Sequence, residues 1–341
     1  MKTLVTGATG FLGSHVARAL LARGEDVRVL VRPSSDLRAL EGLAAERVQG
    51  DLRDRASLDR AMHDVRRVYH VAADYRLWAR DPREIHESNV TGTRNLLDSA
   101  RSAGVEKFIY TSTVATVAVP REGTLPNEET QSSVGEMIGE YKRSKFEAEQ
   151  VALQAAEAGQ PVVIVNPTTP VGPGDWKPTP TGKIIVDFLN GRMPGYVDTG
   201  LNFVPVEDSA HGHLLAAEKG RVGQRYILGG RNLTLKQMLD MLAAASGRLA
   251  PRWKFPHVLA YAAGFVDSGV SRLLGREPQI PLDGVRMARH KMFVDSSKAE
   301  RELGFAPGPV EAAIERAAAW YEANGYVVAG RTPAVAGARA A

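Results

Sequence analysis

The sequence has no cysteine among its 341 residues, so disulfide bonds, thiolate metal ligands and a cysteine nucleophile are all excluded. It also has no apolar run near the roughly 18 residues that a membrane-spanning helix requires. No signal peptide is predicted, because Met1 and Lys2 lead directly into a predicted strand. These absences predict a soluble protein and favour the reducing environment of the cytoplasm.

An excess of charge of one sign is missing as well. The 43 Lys and Arg residues and the 39 Asp and Glu residues leave a net charge of +4, with both signs interspersed. Without a basic stripe that contains aromatic residues, a nucleic-acid partner is not expected. His211 and His213 lie on different faces of a predicted helix, so no metal site is expected. The expected partner is a small-molecule substrate, and the oligomeric state stays open, with a homodimer as one possibility.

What the sequence does contain is an alternation of short β-branched runs with amphipathic stretches. This alternation predicts an α/β fold, with a parallel sheet covered by helices on both faces. The predicted strands are residues 3–6, 26–31, 47–49, 67–71, 107–111 and 161–166. The predicted helices are residues 12–22, 56–62, 85–103 and 138–158.

Beyond residue 166 the pattern changes. Five prolines and three glycines in residues 167–182 argue against a helix or a central strand there. Residues 203–206 and 225–228 are predicted to return as strands of the main sheet. Three further helices are predicted, at residues 235–246 with Thr234 as the cap, within 251–275, and at 310–324. Residues 329–341 are predicted to be a disordered tail.

Gly7, Gly10 and Gly13 follow the first predicted strand and open the first predicted helix. One glycine permits a tight turn, another lets a pyrophosphate approach the backbone, and the third allows close packing of helix on strand. The start of the helix, with Phe11 and Leu12, then faces the phosphates. The spacing predicts a dinucleotide cofactor, with an ordinary glycine-rich turn as the alternative.

The end of the second predicted strand lacks the acidic residue that would hold the ribose 2′-hydroxyl of NAD. Arg32 stands there instead, with Arg38 further along the chain. Because a guanidinium suits a 2′-phosphate, we predict NADP as the cofactor. NAD is the alternative if Arg32 is simply an exposed residue at a strand end.

Two further strand ends carry candidate cofactor residues. Asp51 and Leu52 follow the third predicted strand, where a carboxylate could accept the adenine amino group while the leucine covers the ring. Ala72 and Ala73 end the fourth, and their small side chains would let the cofactor ribose lie close to the backbone. His70 beside them is interpreted as a packed core residue and not as a catalyst.

Tyr141 and Lys145 are four residues apart, one turn along the same face of a predicted helix. A phenol with a pKa near ~10 shuttles protons poorly at neutral pH unless a cation stabilises its phenolate, and Lys145 is placed to supply that cation. Among the hydroxyls that end the fifth predicted strand, Thr113 is the one expected to orient the substrate oxygen beside Tyr141. A capped turn is the alternative for Thr113. With the glycine motif, this pair predicts hydride transfer at a nicotinamide cofactor.

Five motifs, taken as a set, resemble the extended short-chain dehydrogenase/reductase superfamily, of the NAD-dependent epimerase/dehydratase type. They are T-G-A-T-G-F-L-G, G-D-L-R-D, V-Y-H-V-A-A, Y-T-S-T and Y-K-R-S-K. The resemblance covers nearly the whole chain. It implies a catalytic triad of Thr113, Tyr141 and Lys145, a bracing asparagine at Asn89, and a place for Pro167 in the cofactor site.

The resemblance also implies a Rossmann fold, which is a doubly wound parallel sheet of about seven strands, with a smaller mixed C-terminal substrate domain. The Rossmann domain would span residues 1–166, with residues 201–230 returning to it. Residues 167–200 and 231–326 would form the substrate-binding region.

Longer stretches look like the hopanoid-associated sugar epimerase group, itself close to the dihydroflavonol reductases. They include A-A-D-Y-R-L-W at 72–78 and N-P-T-T-P-V-G-P at 166–173. Asn166 matches the asparagine that sugar-nucleotide epimerases use near the diphosphate. However, the arginine that such enzymes carry before F-V-P-V-E-D is replaced by Leu201 or Asn202, so a diphosphate would lose a charge-assisted partner. Arg286 or Arg289 could compensate.

The leading hypothesis is an NADP-dependent oxidoreductase that acts on an alcohol or ketone, with hopanoid side-chain metabolism as the expected setting. Tyr75 and Trp78 are expected to line the substrate pocket together with Asn166 and the loop at 167–181. One alternative is a redox-neutral sugar or nucleotide-sugar epimerase or dehydratase. A non-catalytic cofactor sensor is a third hypothesis, against which the complete triad argues.

Residues 256–266 are unusually apolar and have basic residues on both sides. Arg252 and Lys254 precede the segment, and Arg272 and Arg276 follow it. A helix packed over the substrate pocket is the favoured interpretation. Contact with a membrane surface is the less favoured alternative.

Overall fold

The computed structural model describes residues 2–117 and 124–328, and its largest element is a parallel sheet of seven strands. The strands of the described chain are β1 (Lys2–Thr6), β2 (Val27–Val31), β3 (Glu46–Gln49), β4 (Val65–His70), β5 (Lys107–Thr111), β6 (Val162–Pro167), β7 (Thr169–Val171), β8 (Gly195–Val197), β9 (Gly200–Pro205), β10 (Arg225–Leu228), β11 (Arg231–Thr234), β12 (Trp253–Phe255) and β13 (Lys291–Met292). The main sheet has the order β10-β6-β5-β4-β1-β2-β3, and its neighbouring strands are parallel. The predicted Rossmann-type α/β fold is therefore confirmed.

The helices of the described chain cover both faces of this sheet and also build a C-terminal core. They are α1 (Phe11–Ala22), α2 (Arg55–Ala61), α3 (Arg83–His86), α4 (Gly92–Ser102), α5 (Gly139–Glu157), α6 (Pro180–Leu189), α7 (Val206–Lys219), α8 (Leu235–Ser246), α9 (His257–Leu274), α10 (Leu282–Met287), α11 (Ser297–Leu303) and α12 (Val310–Ala323). Helices α1 and α7 pack on one face, and α2, α4 and α5 pack on the other. Strands β2 and β6 are buried along their whole length because both faces are covered. Among the helices in the described ranges, none is long and apolar enough to cross a membrane.

The strand order reverses between β1 and β4 at the centre of the main sheet. In open parallel sheets, ligands bind in the crevice beyond the carboxyl ends of the strands at such a point. The glycine turn follows β1 and Ala72 follows β4, so the topology brings both to this crevice.

The predicted helix at 85–103 is interrupted in the structure. Helices α3 and α4 are joined by a π-helical turn, Glu87–Thr91. Turns of this kind are frequent at functional sites. This one contains Asn89, whose side chain is buried.

One predicted strand was assigned to the wrong sheet. Residues 225–228 do join the main sheet as β10, but residues 203–206 belong largely to β9, which lies in a second sheet with β7, β11 and β13. The edge of β6 is paired with β10, and β9 pairs instead with β7, β11 and β13. The apolar pattern misleads because side chains alternate along a strand, so that Val204 packs under α1 and α7 while Phe203 packs into a separate C-terminal core.

The C-terminal core lies between α6, α8 and α12. As predicted, Thr234 caps α8, since its hydroxyl accepts from the N–H of Gln237, whose side chain in turn accepts from the N–H of Thr234. The helices predicted within 251–275 and at 310–324 are α9 and α12. The tail predicted at 329–341 lies outside the described residues, and the predicted domain boundaries stay a prediction.

For helix α9, packing over the substrate pocket stays a prediction. Its apolar side chains Val258, Leu259, Phe265 and Val266 are exposed to solvent. They point outward because the opposite face of α9 packs on α10.

Candidate active site

The turn between β1 and α1 is built from the three glycines. Gly7 has a φ of +75°, which L side chains rarely adopt, and a Cβ atom there would lie 2.5 Å from the amide nitrogen of Ala72. A Cβ atom at Gly13 would collide with the carbonyl oxygen of Gly7. The N–H of Gly10 donates to the same carbonyl at 2.9 Å and closes the turn. The turn therefore leaves a space lined by backbone that a side chain at Gly7 or Gly13 would fill, and we call this space the cradle.

Helix α1 begins next to this cradle without a side-chain cap and without an acidic residue in its first turn. The first helical hydrogen bond runs from the N–H of Ser14 to the carbonyl of Gly10, so the N–H groups of Phe11 and Leu12 precede it. Such a helix end attracts phosphate. The cradle and the helix end fit the pyrophosphate of a dinucleotide.

The loop after β4 is fastened beside the glycine turn. The N–H of Ala72 donates to the hydroxyl of Thr6 at 3.3 Å. Asn89 accepts from the N–H of Asp74 at 2.7 Å and donates to its carbonyl at 2.9 Å. The same amide nitrogen donates to the hydroxyl of Ser144 at 2.9 Å. Asn89 therefore connects this loop to α5, which is the bracing arrangement that the resemblance implies.

The two arginines after β2 have different surroundings. Arg32 is exposed, and no carboxylate in the described ranges forms an ion pair with it. Arg38 pairs with Asp36 at 2.5 Å, and its guanidinium lies 4.9 Å from the ring centroid of Trp176. Arg32 is therefore the arginine that is available to a 2′-phosphate.

Asp51 lies at the end of β3 and pairs with Arg53 at 2.8 Å. Hydrogen bonds from Arg53 lower the pKa of the Asp51 carboxyl to about 2, and the charge of Arg32 contributes to this shift. Asp51 is therefore an ionised acceptor at neutral pH. Leu52 lies against Gly92 at the start of α4, where a Cβ atom would come within 2.8 Å of the Leu52 Cβ.

Thr113 and Tyr141 meet beyond the carboxyl end of β5. The Thr113 hydroxyl lies close enough to the Tyr141 phenol to oppose the rise in the phenol's pKa that burial causes. The same hydroxyl accepts from the N–H of Ala115 at 3.2 Å and caps a short 3-10 turn. The capped turn named as an alternative is therefore present, and it holds Thr113 beside the phenol.

The Lys145 ammonium is buried one helical turn after Tyr141. It donates to the Tyr110 hydroxyl at 3.1 Å and to the carbonyl of Thr111 at 2.7 Å. Burial lowers the pKa of Lys145 to about 7, although the charge of Glu149 acts in the opposite direction. A ligand that brings oxygen atoms to this ammonium would favour its charged form.

Beneath Thr113 lies a buried network that the sequence did not reveal. Glu149 is fully buried and accepts from Asn166 at 2.7 Å and from Thr116 at 2.9 Å. It also pairs with Arg225 at 3.3 Å. Asn166 is itself fully buried and donates to the carbonyl of Thr113 at 3.1 Å. These contacts of Asn166 are structural, and its predicted contact with substrate stays a prediction.

His70 and Pro167 lie at the ends of β4 and β6. His70 is bonded to Thr6 at 2.8 Å and to Thr93 at 3.0 Å. Burial lowers the pKa of His70 to about 3, so the ring is neutral at pH 7 and is the packed core residue that we predicted. Pro167 pairs in register with Leu228, and its place in the cofactor site stays a prediction.

The predicted pocket segments at 75–78 and 167–181 come together. Tyr75 is 37% exposed, and its partial burial, with the charges of Asp175 and Asp74, raises its pKa to about 12. Asp175 is buried and accepts from the hydroxyls of Tyr321 at 2.7 Å and Thr179 at 2.8 Å. Trp78 is half-buried on the same loop as Tyr75.

Two of the residues considered at or in place of the missing arginine, Asn202 and Arg286, are already engaged. Asn202 accepts from the N–H of Gly230 at 2.8 Å and donates to Asn232 at 2.8 Å, which ties β9 to β11. Arg286 pairs with Asp283 at 3.3 Å.

Lys142 is a further candidate residue of the site that the sequence did not reveal. Its ammonium lies 3.9 Å from the sulfur of Met292, and no carboxylate of the described residues pairs with it. Burial lowers the pKa of Lys142 to about 8. Met292 packs against Val114 and Val117, just after Thr113. No sequence signal connects Lys142 with Met292, because 150 positions separate them.

We expect Gly13→Ala to weaken cofactor binding by about 10-fold or more, because its Cβ would push the Gly7 carbonyl out of the cradle. Fluorescence titration with NADPH measures this. Gly269→Ala is the matched control, since a Cβ at Gly269 in α9 meets no atom within 4 Å. Unchanged affinity in Gly13→Ala would contradict the assignment of this turn.

Comparison with known proteins identifies the family and the fold. The family model described as "NAD dependent epimerase/dehydratase family" matches residues 3–229. The chain is 46% identical over 327 residues to the putative dihydroflavonol 4-reductase of Synechocystis sp., covering 95% of each chain. It is 40% identical over 329 residues to sterol demethylase protein B of Methylococcus capsulatus, covering 96% of this chain and 100% of the relative.

Two solved structures extend the comparison. The crystal structure of gox2253 matches with a TM-score of 0.86 and 46% identity, covering 96% of this chain and 99% of the other. PA4631, a nucleoside-diphosphate-sugar epimerase from Pseudomonas aeruginosa, matches with a TM-score of 0.80 and 29% identity, also covering 96% and 99%.

Proposed function

The chain belongs to the NAD dependent epimerase/dehydratase family, and we propose that it is an NADP-dependent oxidoreductase acting on an alcohol or ketone. The resemblance to the extended short-chain dehydrogenase/reductases is thereby confirmed at the level of the family. The observation that carries the proposal is the Tyr141 phenol, held beside the Thr113 hydroxyl with the buried Lys145 ammonium one turn away.

The residues of the site would have separate roles in binding and catalysis. Gly7, Gly10 and Gly13 with the start of α1 would hold the pyrophosphate, and Arg32 would hold the 2′-phosphate. When bound, the nicotinamide supplies or accepts the hydride. Tyr141 donates the proton to the substrate oxygen in the reduction.

Two neighbours prepare Tyr141 for this role. Thr113 orients the substrate oxygen by a hydrogen bond from its hydroxyl. Lys145 stabilises the phenolate that the proton transfer leaves behind. In the oxidation of an alcohol the same proton returns to the Tyr141 phenolate.

We propose a hydrophobic, ring-containing substrate. Tyr75 and Trp78 bring aromatic rings to the predicted pocket, and apolar and aromatic side chains are the usual lining of such sites. The relatives named for a dihydroflavonol and for a sterol support the same class. Within this class, hopanoid side-chain metabolism is the setting that we propose.

A nucleotide-sugar epimerase is the second candidate, favoured by the similarity to the Pseudomonas aeruginosa protein. Against it, the expected diphosphate-binding arginine is replaced by Leu201 or Asn202, and Asn202 is used to join two strands. The stoichiometry distinguishes the two candidates, because a reductase consumes NADPH and an epimerase returns its hydride. UDP- and GDP-sugars are offered with and without NADP(H), and hydrophobic ketones are offered with NADPH. Epimerisation without net cofactor consumption, with every ketone inert, would establish the second candidate.

We expect wild-type protein to bind NADPH more tightly than NADH. Arg32→Ala should weaken NADPH binding by about 10-fold or more, because a charge-assisted hydrogen bond contributes about 1.5–3 kcal/mol, and should leave NADH binding unchanged. Calorimetric titration of both cofactors measures this. Arg38→Ala is the matched control, since Arg38 is paired with Asp36. Equal or tighter binding of NADH by the wild type would overturn the assignment.

A further inference from the structure

Helix α9 carries a continuous set of exposed apolar side chains. Leu273 is 89% exposed, Val258 is 76% exposed and Phe265 is 62% exposed. We call this set the apolar face of α9, and its members are Val258, Leu259, Phe265, Val266, Leu273 and Leu274. Large contiguous apolar patches on a protein surface mark interaction sites.

The inward face of α9 is made of small and polar residues. A Cβ atom at Gly264 would lie 3.1 Å from the side chain of Val285, so the backbone of α9 approaches α10 closely. Asp267 accepts from the N–H of Ile280 at 2.7 Å, and Ser268 accepts from the N–H of Leu282 at 3.2 Å. The polar contacts thus hold α9 flat on the protein with its apolar face outward.

The segment that contains α9 carries an excess of positive charge, which we call the basic surround of the apolar face. Residues 248–291 contain eight Lys and Arg against three Asp and Glu, a formal charge of +5 compared with +4 for the whole chain. A groove at the start of α9 is lined by Lys254, His257, Arg289, His290 and Lys291, with Asp198 as its one acidic residue. Trp253, which precedes Lys254 in the chain, is 75% exposed.

We propose that the apolar face of α9 and its basic surround dock on the surface of an anionic phospholipid membrane. An amphipathic helix that lies in the interface buries its apolar face among the acyl chains, while basic residues contact the acidic headgroups. Trp253 has the amphipathic ring that such interfaces favour. A second copy of the chain fits less well, because a symmetric contact would bring two basic surrounds together.

The position of α10 places this surface beside the catalytic cleft. Asp283 packs against Gly139, two residues before Tyr141, and a Cβ atom at Gly284 would lie 3.8 Å from the side chain of Leu77. Docking would therefore bring the mouth of the cleft to the lipid, where a hydrophobic substrate is dissolved. The docking does not depend on the reaction, so vesicle binding tests it separately from the proposed function.

Co-sedimentation with vesicles tests this inference. The full chain is mixed with vesicles of phosphatidylcholine alone and of phosphatidylcholine with 30% phosphatidylglycerol, where ~30% is a typical anionic content for such assays. We expect binding to the anionic vesicles that weakens as salt rises. The double variant Phe265→Asp/Leu273→Asp should bind at least ~10-fold more weakly, because carboxylates do not enter the acyl region. Val222→Asp, at an exposed apolar residue away from α9, should bind like the wild type.

Circular dichroism and NADPH titration establish that each variant is folded. The inference is overturned if folded wild-type protein does not bind anionic vesicles at low salt, or if the double variant binds as well as the wild type. It is also overturned if analytical ultracentrifugation shows a dimer that the double variant converts to a monomer while neither protein binds vesicles.

Discussion

Replacement of Tyr141 by phenylalanine is expected to lower kcat by on the order of 10³-fold, which lies within the usual range for loss of a general acid. The phenol hydroxyl is the group beside Thr113 that can transfer a proton to the substrate oxygen. Affinity for NADPH should stay within about 2-fold, because the phosphates are held at the glycine turn and at Arg32. Steady-state kinetics and fluorescence titration measure the two effects.

The matched control is Tyr226→Phe, which removes another buried phenol hydroxyl far from the site. Tyr226 lies in β10, and its hydroxyl donates to Glu302 at 2.9 Å. The same hydroxyl accepts from the N–H of Arg221 at 3.2 Å. This variant loses only these two bonds, so its kcat should equal that of the wild type. If Tyr141→Phe retains a tenth or more of the wild-type kcat, Tyr141 is not the proton donor.

Lys145→Met should impair both turnover and cofactor binding. Methionine fills a similar volume but removes the charge that stabilises the Tyr141 phenolate, so kcat should fall by about 10²-fold or more. We also expect the ammonium to bond the nicotinamide ribose, so NADPH affinity should fall by about 10-fold, as for other charge-assisted hydrogen bonds. Lys219→Met is the matched control, because the Lys219 ammonium also donates to a backbone carbonyl, that of Leu303 at 2.9 Å, but lies away from the candidate site.

The pH dependence of NADPH binding tests Lys145 in a second way. Its pKa in the free protein is lowered to about 7 by burial, and a ligand that bonds the ammonium raises it. At a pH between the pKa of Lys145 in the free protein and its pKa in the complex, binding of NADPH takes up a proton. The affinity for NADPH should therefore decrease as the pH rises above about 7. Lys145→Met should lose this slope. A slope that persists unchanged in Lys145→Met would assign the proton to another group.

The parts of the site that were predictable are those whose signal is local in the chain. Tyr141 and Lys145 are placed by helical spacing alone, and Gly7, Gly10 and Gly13 by their position between a strand and a helix. The cap at Thr234 follows the same logic, because its partner is three residues away. The alternation of strands and helices likewise predicted the main sheet. In each case, a few neighbouring residues decide the geometry.

What the tertiary structure alone decided are contacts between distant parts of the chain. Glu149, Asn166 and Arg225 form one network because β6 and β10 are neighbours beneath α5, which no local pattern reveals. The sheet that contains β9 could not be read from its apolar residues, since burial on either core produces the same pattern. The face of α9 that meets the protein could likewise not be read from its apolar residues.

An apolar helical stretch such as 257–274 predicts that a helix forms, but not which of its faces meets the protein. The sequence of α9 determined the helix, its apolar residues and its basic flanks. Packing against α10 decided that Gly264, Asp267 and Ser268 face inward and that the apolar side chains face outward. The physical reason is that the burial of a helix face depends on the surface against which the helix packs. Asp267 and Ser268 find their hydrogen-bond donors only where the backbone of residues 280–282 returns to them.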